Sequence, residues 1–221
     1  SLDATLECSN LSGIDAALML IPAATDNCDP TPTISLSSDV TTPGACPQEY
    51  TRVKTWRFRD DCGNVSGTFT QTVTVQDNTP PMITTLPTSL DATLECSNTT
   101  GIDAALLLIP AATDNCDPTP TISLSSDVTT PGTCPQEYTR VKTWRFKDDC
   151  GNVSGTFTQT VTVQDNTPPM ITTVPGSLDA TLECSDLLGI AQALLMFPAA
   201  TDNCDATPTR SLVSDNTTPG T

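Results

Sequence analysis

The chain contains no histidine, and aromatic residues make up only 4% of it. Without imidazole there is no Ser–His or Cys–His pair to activate a nucleophile, and no nitrogen ligand for zinc. Basic residues are scarce: 9 Lys and Arg stand against 26 Asp and Glu, a formal net charge of −17. Nucleic acids and anionic lipids are held by clustered cations that displace counterions, so neither is an expected partner. No apolar run reaches the roughly 18 residues that a membrane-spanning helix needs, and no membrane insertion is expected. A glycine-rich phosphate loop is also missing. The adjacent carboxylates Asp60 and Asp61 share a turn instead of facing each other across a cleft. Catalysis is therefore not expected, and no cofactor is required. The first residues lack a charged leader or an apolar signal core. Because the chain starts inside one repeat and stops inside another, it reads as a fragment.

What is present is repetition. The string SLDATLECS begins at Ser1, Ser89 and Ser177. Residues 1–88 and 89–176 differ at seven positions, all mildly: Leu11/Thr99, Ser12/Thr100, Met19/Leu107, Ala45/Thr133, Arg59/Lys147, Leu86/Val174 and Thr88/Gly176. A period of 88 residues is too long for a solenoid repeat and suits a small autonomous domain. The segment VQDNTPPMI recurs unchanged at Val75–Ile83 and Val163–Ile171, where Asp-Asn turns the chain and Pro-Pro stiffens it. It reads as a hinge. The expected organisation is beads on a string: 1–78 as a repeat lacking its first strand, 79–166 as a complete repeat and 167–221 as a partial one.

Within a repeat, Gly155–Gln164 alternates strictly: Phe157, Gln159, Val161 and Val163 share one face, and Thr156, Thr158, Thr160 and Thr162 the other. That period of two predicts a half-buried strand. Thr121–Asp127 alternates through Ile122 and Leu124, and Glu137–Asp148 is rich in aromatic and β-branched residues. MITTLPT and SLDATLEC supply two more strands, with Pro and Gly turns between. The fold class predicted is all-β, an immunoglobulin-like sandwich, with one short helix at Gly101–Pro110. That helix is apolar nearly all round and is expected to plug one end of the sandwich. In RVKTWRF, a bulge is expected to separate buried Trp56 and Phe58 from exposed Arg52 and Lys54.

Each full repeat carries four cysteines: Cys8, Cys28, Cys46 and Cys62, then Cys96, Cys116, Cys134 and Cys150, with Cys184 and Cys204 in the third copy. Even numbers without a CxxC knuckle predict disulfides and an oxidising, extracellular or cell-surface location. If residues 33–39 and 50–60 form a hairpin, Cys28 and Cys62 lie opposite each other at its open end. Cys46 then lies near the turn, too far from Cys62 for a bridge. The pairing expected on that geometry is Cys28–Cys62 with Cys8–Cys46, repeated as Cys116–Cys150 with Cys96–Cys134.

ATDNCD (Ala24–Asp29), TWRFRDDCGNVSGTFTQTVTVQDNTPP (Thr55–Pro81) and the four cysteines together resemble tandem hyalin-repeat (HYR)-like modules over essentially the whole chain. The resemblance implies immunoglobulin-like sandwiches, of the kind common in very large bacterial surface proteins and also found in animal extracellular proteins. It implies adhesion, as stalks or repeat arrays, and no catalysis. The chain departs from the family in PPMITTLPT, which lacks a cysteine that members often carry there.

Three sets of candidate sites remain. Ca²⁺ takes roughly six to eight oxygen ligands. Asp26, Asn27, Asp29, Asp60, Asp61, Asp77 and Asn78 offer them, as do Asp114, Asp117, Asp148, Asp149, Asp165 and Asn166 in the later copies. The same residues are ordinary turn formers. Asn-x-Ser/Thr acceptors for glycans occur at Asn10, Asn64, Asn98, Asn152 and Asn216. Hydroxyls for O-linkage lie in the threonine-rich loops at Thr31, Thr33, Thr41, Thr42, Thr119, Thr121, Thr129 and Thr130. The functional expectation is a disulfide-stiffened extracellular fibre or adhesin stalk whose partners are its own neighbouring repeats or subunits, and glycans. The alternative is a carbohydrate- or protein-binding module of a surface receptor.

Overall fold

The computed structural model describes residues 1–218, so the last three residues of the 167–221 segment lie outside the described residues. The first copy runs β1 (Ala4–Glu7), α1 (Leu11–Met19), β2 (Thr33–Pro43), β3 (Tyr50–Arg59) and β4 (Phe69–Gln76). The second adds β5 (Met82–Ile83), β6 (Ala92–Glu95), α2 (Thr99–Leu107), β7 (Ala112–Thr113), β8 (Thr121–Pro131), β9 (Tyr138–Lys147) and β10 (Phe157–Gln164). The third contributes β11 (Met170–Ile171), α3 (Leu187–Leu194) and β12 (Ala200–Thr201). Two four-stranded sheets follow one order, β1-β4-β3-β2 and β6-β10-β9-β8, and two further sheets, β5-β7 and β11-β12, have two strands each. The fold is mostly β, as expected, with a short helix in each repeat.

Two compact units divide the chain: residues 1–89, 109–127 and 142–158 form one, and 90–108, 128–141 and 159–218 the described part of the other. This division runs across the sequence repeats. In the first unit β1 lies parallel to β4, from Ala4↔Val73 to Glu7↔Gln76, and β2 and β3 form the expected hairpin, from Thr33↔Arg59 to Pro43↔Tyr50. The bulge sits in β2, between Leu36 and Ser38, and not in β3. Trp56 is buried and packs 6.3 Å from Phe69, while Arg52 pairs with Asp39 at 2.8 Å.

The period-two pattern of β4 carries through to packing. Gln71, Val73 and Val75 are fully buried, and the threonines between them are not. The valines meet Ile14 and Ala17 of α1, three residues apart on one helix face. Burying each such valine or isoleucine contributes about 1.5–3 kcal/mol. Asn10 caps α1 by accepting the Gly13 N–H at 3.1 Å, and a Cβ on residue 13 would come within 2.5 Å of the Asn10 side chain, so glycine is needed there. Gln71 then fixes the helix to the strand: its Nε2 donates to Ala17 O and to Leu2 O. The second unit repeats the device with Ile102, Ala105, Val161, Val163 and Gln159. Leu18 of α1 also packs against this cluster, whereas Leu11 and Met19 of the helix, and Ile21 just beyond it, are exposed.

Two expectations change. MITTLPT gives only two-residue strands, because Met82–Ile83 pairs with Ala112–Thr113, whose brevity limits the ladder. β2 and β8 are exposed along their whole length, including Ile34, Leu36, Ile122 and Leu124, since each is the edge strand of its sheet.

Candidate functional site at the repeat seam

The disulfides run between copies, not within them. Cys8 pairs with Cys116 (Cα–Cα 6.0 Å), Cys46 with Cys150 (5.0 Å), and Cys96 with Cys204 (5.8 Å). The expected pairs Cys28–Cys62, Cys8–Cys46, Cys116–Cys150 and Cys96–Cys134 are therefore corrected. The hairpin behind that expectation is present, but the argument weighed distances inside one copy alone. Cys28 and Cys62 lie beyond its open end in separate turns, one ordered by Asp26 accepting the N–H groups of Cys28 and Asp29, the other by Asp60 accepting from Asn64. The next copy instead brings Cys116 to Cys8 and Cys150 to Cys46, within the span of about 4.4–6.8 Å that a bridge allows. Cys28, Cys62, Cys134 and Cys184 are free and exposed among the described residues.

Side-chain amide contacts flank two of the three bridges. Asn115 Nδ2 donates to Ser9 Oγ at 3.0 Å beside Cys8–Cys116, and Asn203 Nδ2 donates to Ser97 Oγ at 3.1 Å beside Cys96–Cys204. Glu7 reaches from the end of β1 to accept the Thr79 hydroxyl (2.6 Å) and the Asn78 N–H (2.9 Å); these bonds hold its carboxyl below the usual range. Glu95 does the same for Asn166 and Thr167.

Three carboxylates converge in the first unit. Asp77 follows β4, Asp114 follows β7 and Asp148 follows β9, and one oxygen from each lies within 4.8 Å of the others. Asp77 and Asp148 are only 3% and 4% exposed. Asp77 Oδ2 and Asp114 Oδ2 are buried without a hydrogen-bond partner. Desolvation pushes the Asp77 carboxyl up to about 6, with the Asp114, Asp148 and Glu7 charges adding to it against a lowering bond from the Thr79 N–H. Asp148 is held in place by the Asn152 N–H and side-chain amide, which also donates to Asp77 O at 3.0 Å.

Among the described residues the other candidate calcium ligands do not join this cluster, and Asp165 groups instead with Glu95 at the Cys96–Cys204 bridge. Asp29 and Asp117 are buried but accept backbone N–H groups from Thr31 and Asp61, and from Thr119 and Asp149. Asp26 and Asp60 cap turns, while Asn27, Asp61, Asn78, Asp149 and Asn166 are exposed. Asp165 accepts the Thr167 N–H in the second unit. Glu49, which accepts the Asp77 N–H at 3.4 Å beside Cys46–Cys150, belongs to the seam with Glu7 and Glu95; none of the three is in the sequence-derived set, because acidic residues next to strand ends gave no spacing signal.

Of the glycan candidates, Asn10 and Asn98 cap helices, and the Asn64 and Asn152 amides donate to Asp60 and Asp148. Thr33 and Thr121 hydroxyls donate to Arg59 O and Lys147 O, and Thr119 contacts Asp117. Thr31, Thr41, Thr42, Thr129, Thr130 and Asn216 are exposed. No described helix is long and apolar enough to cross a membrane.

Residues 3–75 and 84–163 match the model of the HYR-like domain with 4 cysteines. The chain belongs to this family. It is similar to hyalin of Lytechinus variegatus, 35% identical over 201 residues that make up 90% of this chain and 36% of that protein. Hyalin of Strongylocentrotus purpuratus is 32% identical over 190 residues, 84% of this chain and 15% of that one. This HYR-like chain thus spans well under half the length of either relative. Both are sea urchin proteins, so a bacterial source gains no support. Among solved structures, Drosophila N-cadherin EC1-3 aligns at 12% identity and a TM-score of 0.37, covering 76% of this chain and 65% of that one. Human protocadherin-24 EC1-2 aligns at 13% and 0.30, over 76% and 95%. Likeness at that level carries no argument here.

Proposed function

We propose that this HYR-like chain is a non-catalytic structural segment of an extracellular fibre or adhesive stalk, with the repeat domains 1–78, 79–166 and 167–221 as its links. The observation that supports it most is the disulfide register. Cys8–Cys116 and Cys96–Cys204 share a separation of 108 residues, and Cys46–Cys150 spans 104. Applying those separations to the free cysteines puts the partners of Cys28 and Cys62 before Ser1 and those of Cys134 and Cys184 beyond Thr221. Each repeat would then be bonded to both neighbours, whether these lie in one longer polypeptide or in an adjoining subunit. Forming each bridge removes two electrons and two protons, taken up by a small-molecule disulfide that leaves as two thiols. A covalent tie across every seam passes tension along the array without relying on the DNTPP hinge. The name hyalin on the two relatives, an adhesion-related extracellular protein, fits this reading. Exposed hydroxyls at Thr31, Thr41, Thr42, Thr129 and Thr130 would carry O-linked sugar, and Asn216 N-linked sugar.

Non-reducing peptide mapping of protein from its native source tests it. The Cys28 peptide should be joined to a peptide of the Cys8 type, and the Cys62 peptide to one of the Cys46 type. A Cys28–Cys62 bridge, or four titrating thiols, would reject the proposal. Electron micrographs should show filaments or rods that shorten or loosen on reduction. A second reading, a protein-binding module, is favoured by the edge strand β2, where Leu36 and Val40 are each 53% exposed. It predicts saturable binding by a single repeat with the disulfides reduced, which the stalk reading does not.

A further inference from the structure

We propose that Asp77, Asp114 and Asp148 form a calcium site that joins one repeat to the next. The donor set is all oxygen, which suits a hard cation and not zinc or copper. Three other groupings of acidic residues and cysteines occur among the described residues, around Cys8–Cys116, Cys46–Cys150 and Cys96–Cys204. Each contains both sulfurs of a disulfide, so none offers a thiolate. The Asp77, Asp114 and Asp148 group stands apart in having no sulfur.

Two buried carboxylate oxygens, Asp77 Oδ2 and Asp114 Oδ2, have no hydrogen-bond donor. A buried acceptor without a partner is costly, and a buried carboxylate facing two others more so. Side-chain turns explain half of each group: Asp77 Oδ1 accepts the Thr79 N–H, and Asp114 Oδ1 those of Cys116 and Asp117. The second oxygen of each is left facing the cluster. A divalent cation there would take up both and offset the mutual repulsion. Ca²⁺ tolerates the irregular, partly hydrated geometry that three carboxylates provide, whereas Mg²⁺ demands near-octahedral coordination and dehydrates reluctantly.

Position gives the site its consequence. Asp77 directly follows β4 of the first copy, while Asp114 and Asp148 follow strands of the second, the copy that also carries Cys116 and Cys150. The ion would therefore close the same seam as the disulfides, by a bond that external calcium makes and unmakes. This site stands or falls independently of the fibre reading.

The test is thermal unfolding of the oxidised 221-residue chain with EDTA, with Ca²⁺ and with Mg²⁺, alongside calorimetric titration. Extracellular calcium modules bind at about 10⁻⁴–10⁻³ M, so Ca²⁺ at about 10 mM should raise the melting temperature by several degrees and Mg²⁺ at the same concentration by less. Asp77→Asn and Asp114→Asn should each abolish the shift while melting no lower than wild type in EDTA, because each removes a repelling charge. Asp165→Asn, at the equivalent position in the second unit, should leave the shift intact. No calcium shift in the wild type, or an undiminished one in Asp77→Asn, overturns the proposal.

Discussion

The two compact units share a core and differ at the seam. Ile14, Ala17, Val73, Val75 and the pinning Gln71 recur as Ile102, Ala105, Val161, Val163 and Gln159, with matching burial. At the seam the first unit holds two disulfides and three converging carboxylates. The second holds one disulfide, with Asp165 and Asp202 in the places of Asp77 and Asp114. The residue equivalent to Asp148 falls beyond Thr221, as does the one equivalent to Cys150. Near-identical sequence therefore gives closely matching cores, and the Cys8–Cys116 bridge recurs as Cys96–Cys204. A repeat contains its whole core and only half of each junction; the other half must come from the neighbour.

The largest test of that contrast removes the extra tie. Replacing Cys46 and Cys150 by serine should cost the first unit about 4–5 kcal/mol, the chain-entropy value for a loop of roughly 100 residues. Chemical denaturation followed by hydrogen exchange in each unit should then show the first losing its protection relative to the second. If both units weaken equally, the seam is not local to the first.

Core substitutions should do the opposite and leave the contrast untouched. Gln71→Leu and Gln159→Leu each strip two hydrogen bonds from carbonyls at a helix end and a strand start. Each should destabilise its own unit by about 1–3 kcal/mol, and by similar amounts, as read from paired denaturation curves. A large inequality would mean that the cores are less alike than their burial suggests.

A smaller effect comes from a natural difference between copies. Thr88 has φ +62°, left-handed backbone that a β-branched residue tolerates poorly, and the equivalent residue is Gly176 with φ +79°. Thr88→Gly should raise stability by up to about 1 kcal/mol, since relief of strain outweighs glycine's entropy. A melting curve that moves down would contradict it.

The smallest is a pH effect. The Glu95 carboxyl is held low by the Asn166 N–H and the Thr167 hydroxyl. A depressed folded-state value means that this clasp adds stability above the unfolded value of 4.5 and loses it as pH falls through the folded one. The Asn166 and Thr167 amide resonances should therefore titrate only below pH 4.5. Titration at higher pH would show that the clasp is absent in solution.

Much of the fold could be read in the sequence. The Thr/Val alternation of Phe157–Gln164 gives β10 and its buried face, and the apolar run between Gly101 and Pro110 gives α2, shifted two residues toward the N-terminus because Asn98 supplies the cap. The two-residue strands β7 and β12 carried no signal, being too short for any period. Buried Gln159 lay on the apolar face by parity, yet nothing in the pattern showed that it would hold two carbonyls. Of the acidic residues in turns, sequence could not separate the three that converge from those that cap their own loops, because both use Asp in the same local motifs.

By itself the amino-acid sequence determined the local elements, the four-cysteine repeat and the acidic, histidine-free surface, since propensity, alternation and charge act over a few residues. Only the tertiary structure decided which cysteines meet and which carboxylates face one another. Those encounters join residues from successive copies, and when the copies are nearly identical each partner has an equally plausible twin in its own copy. Distance in space, which no spacing in the chain encodes, selects between them.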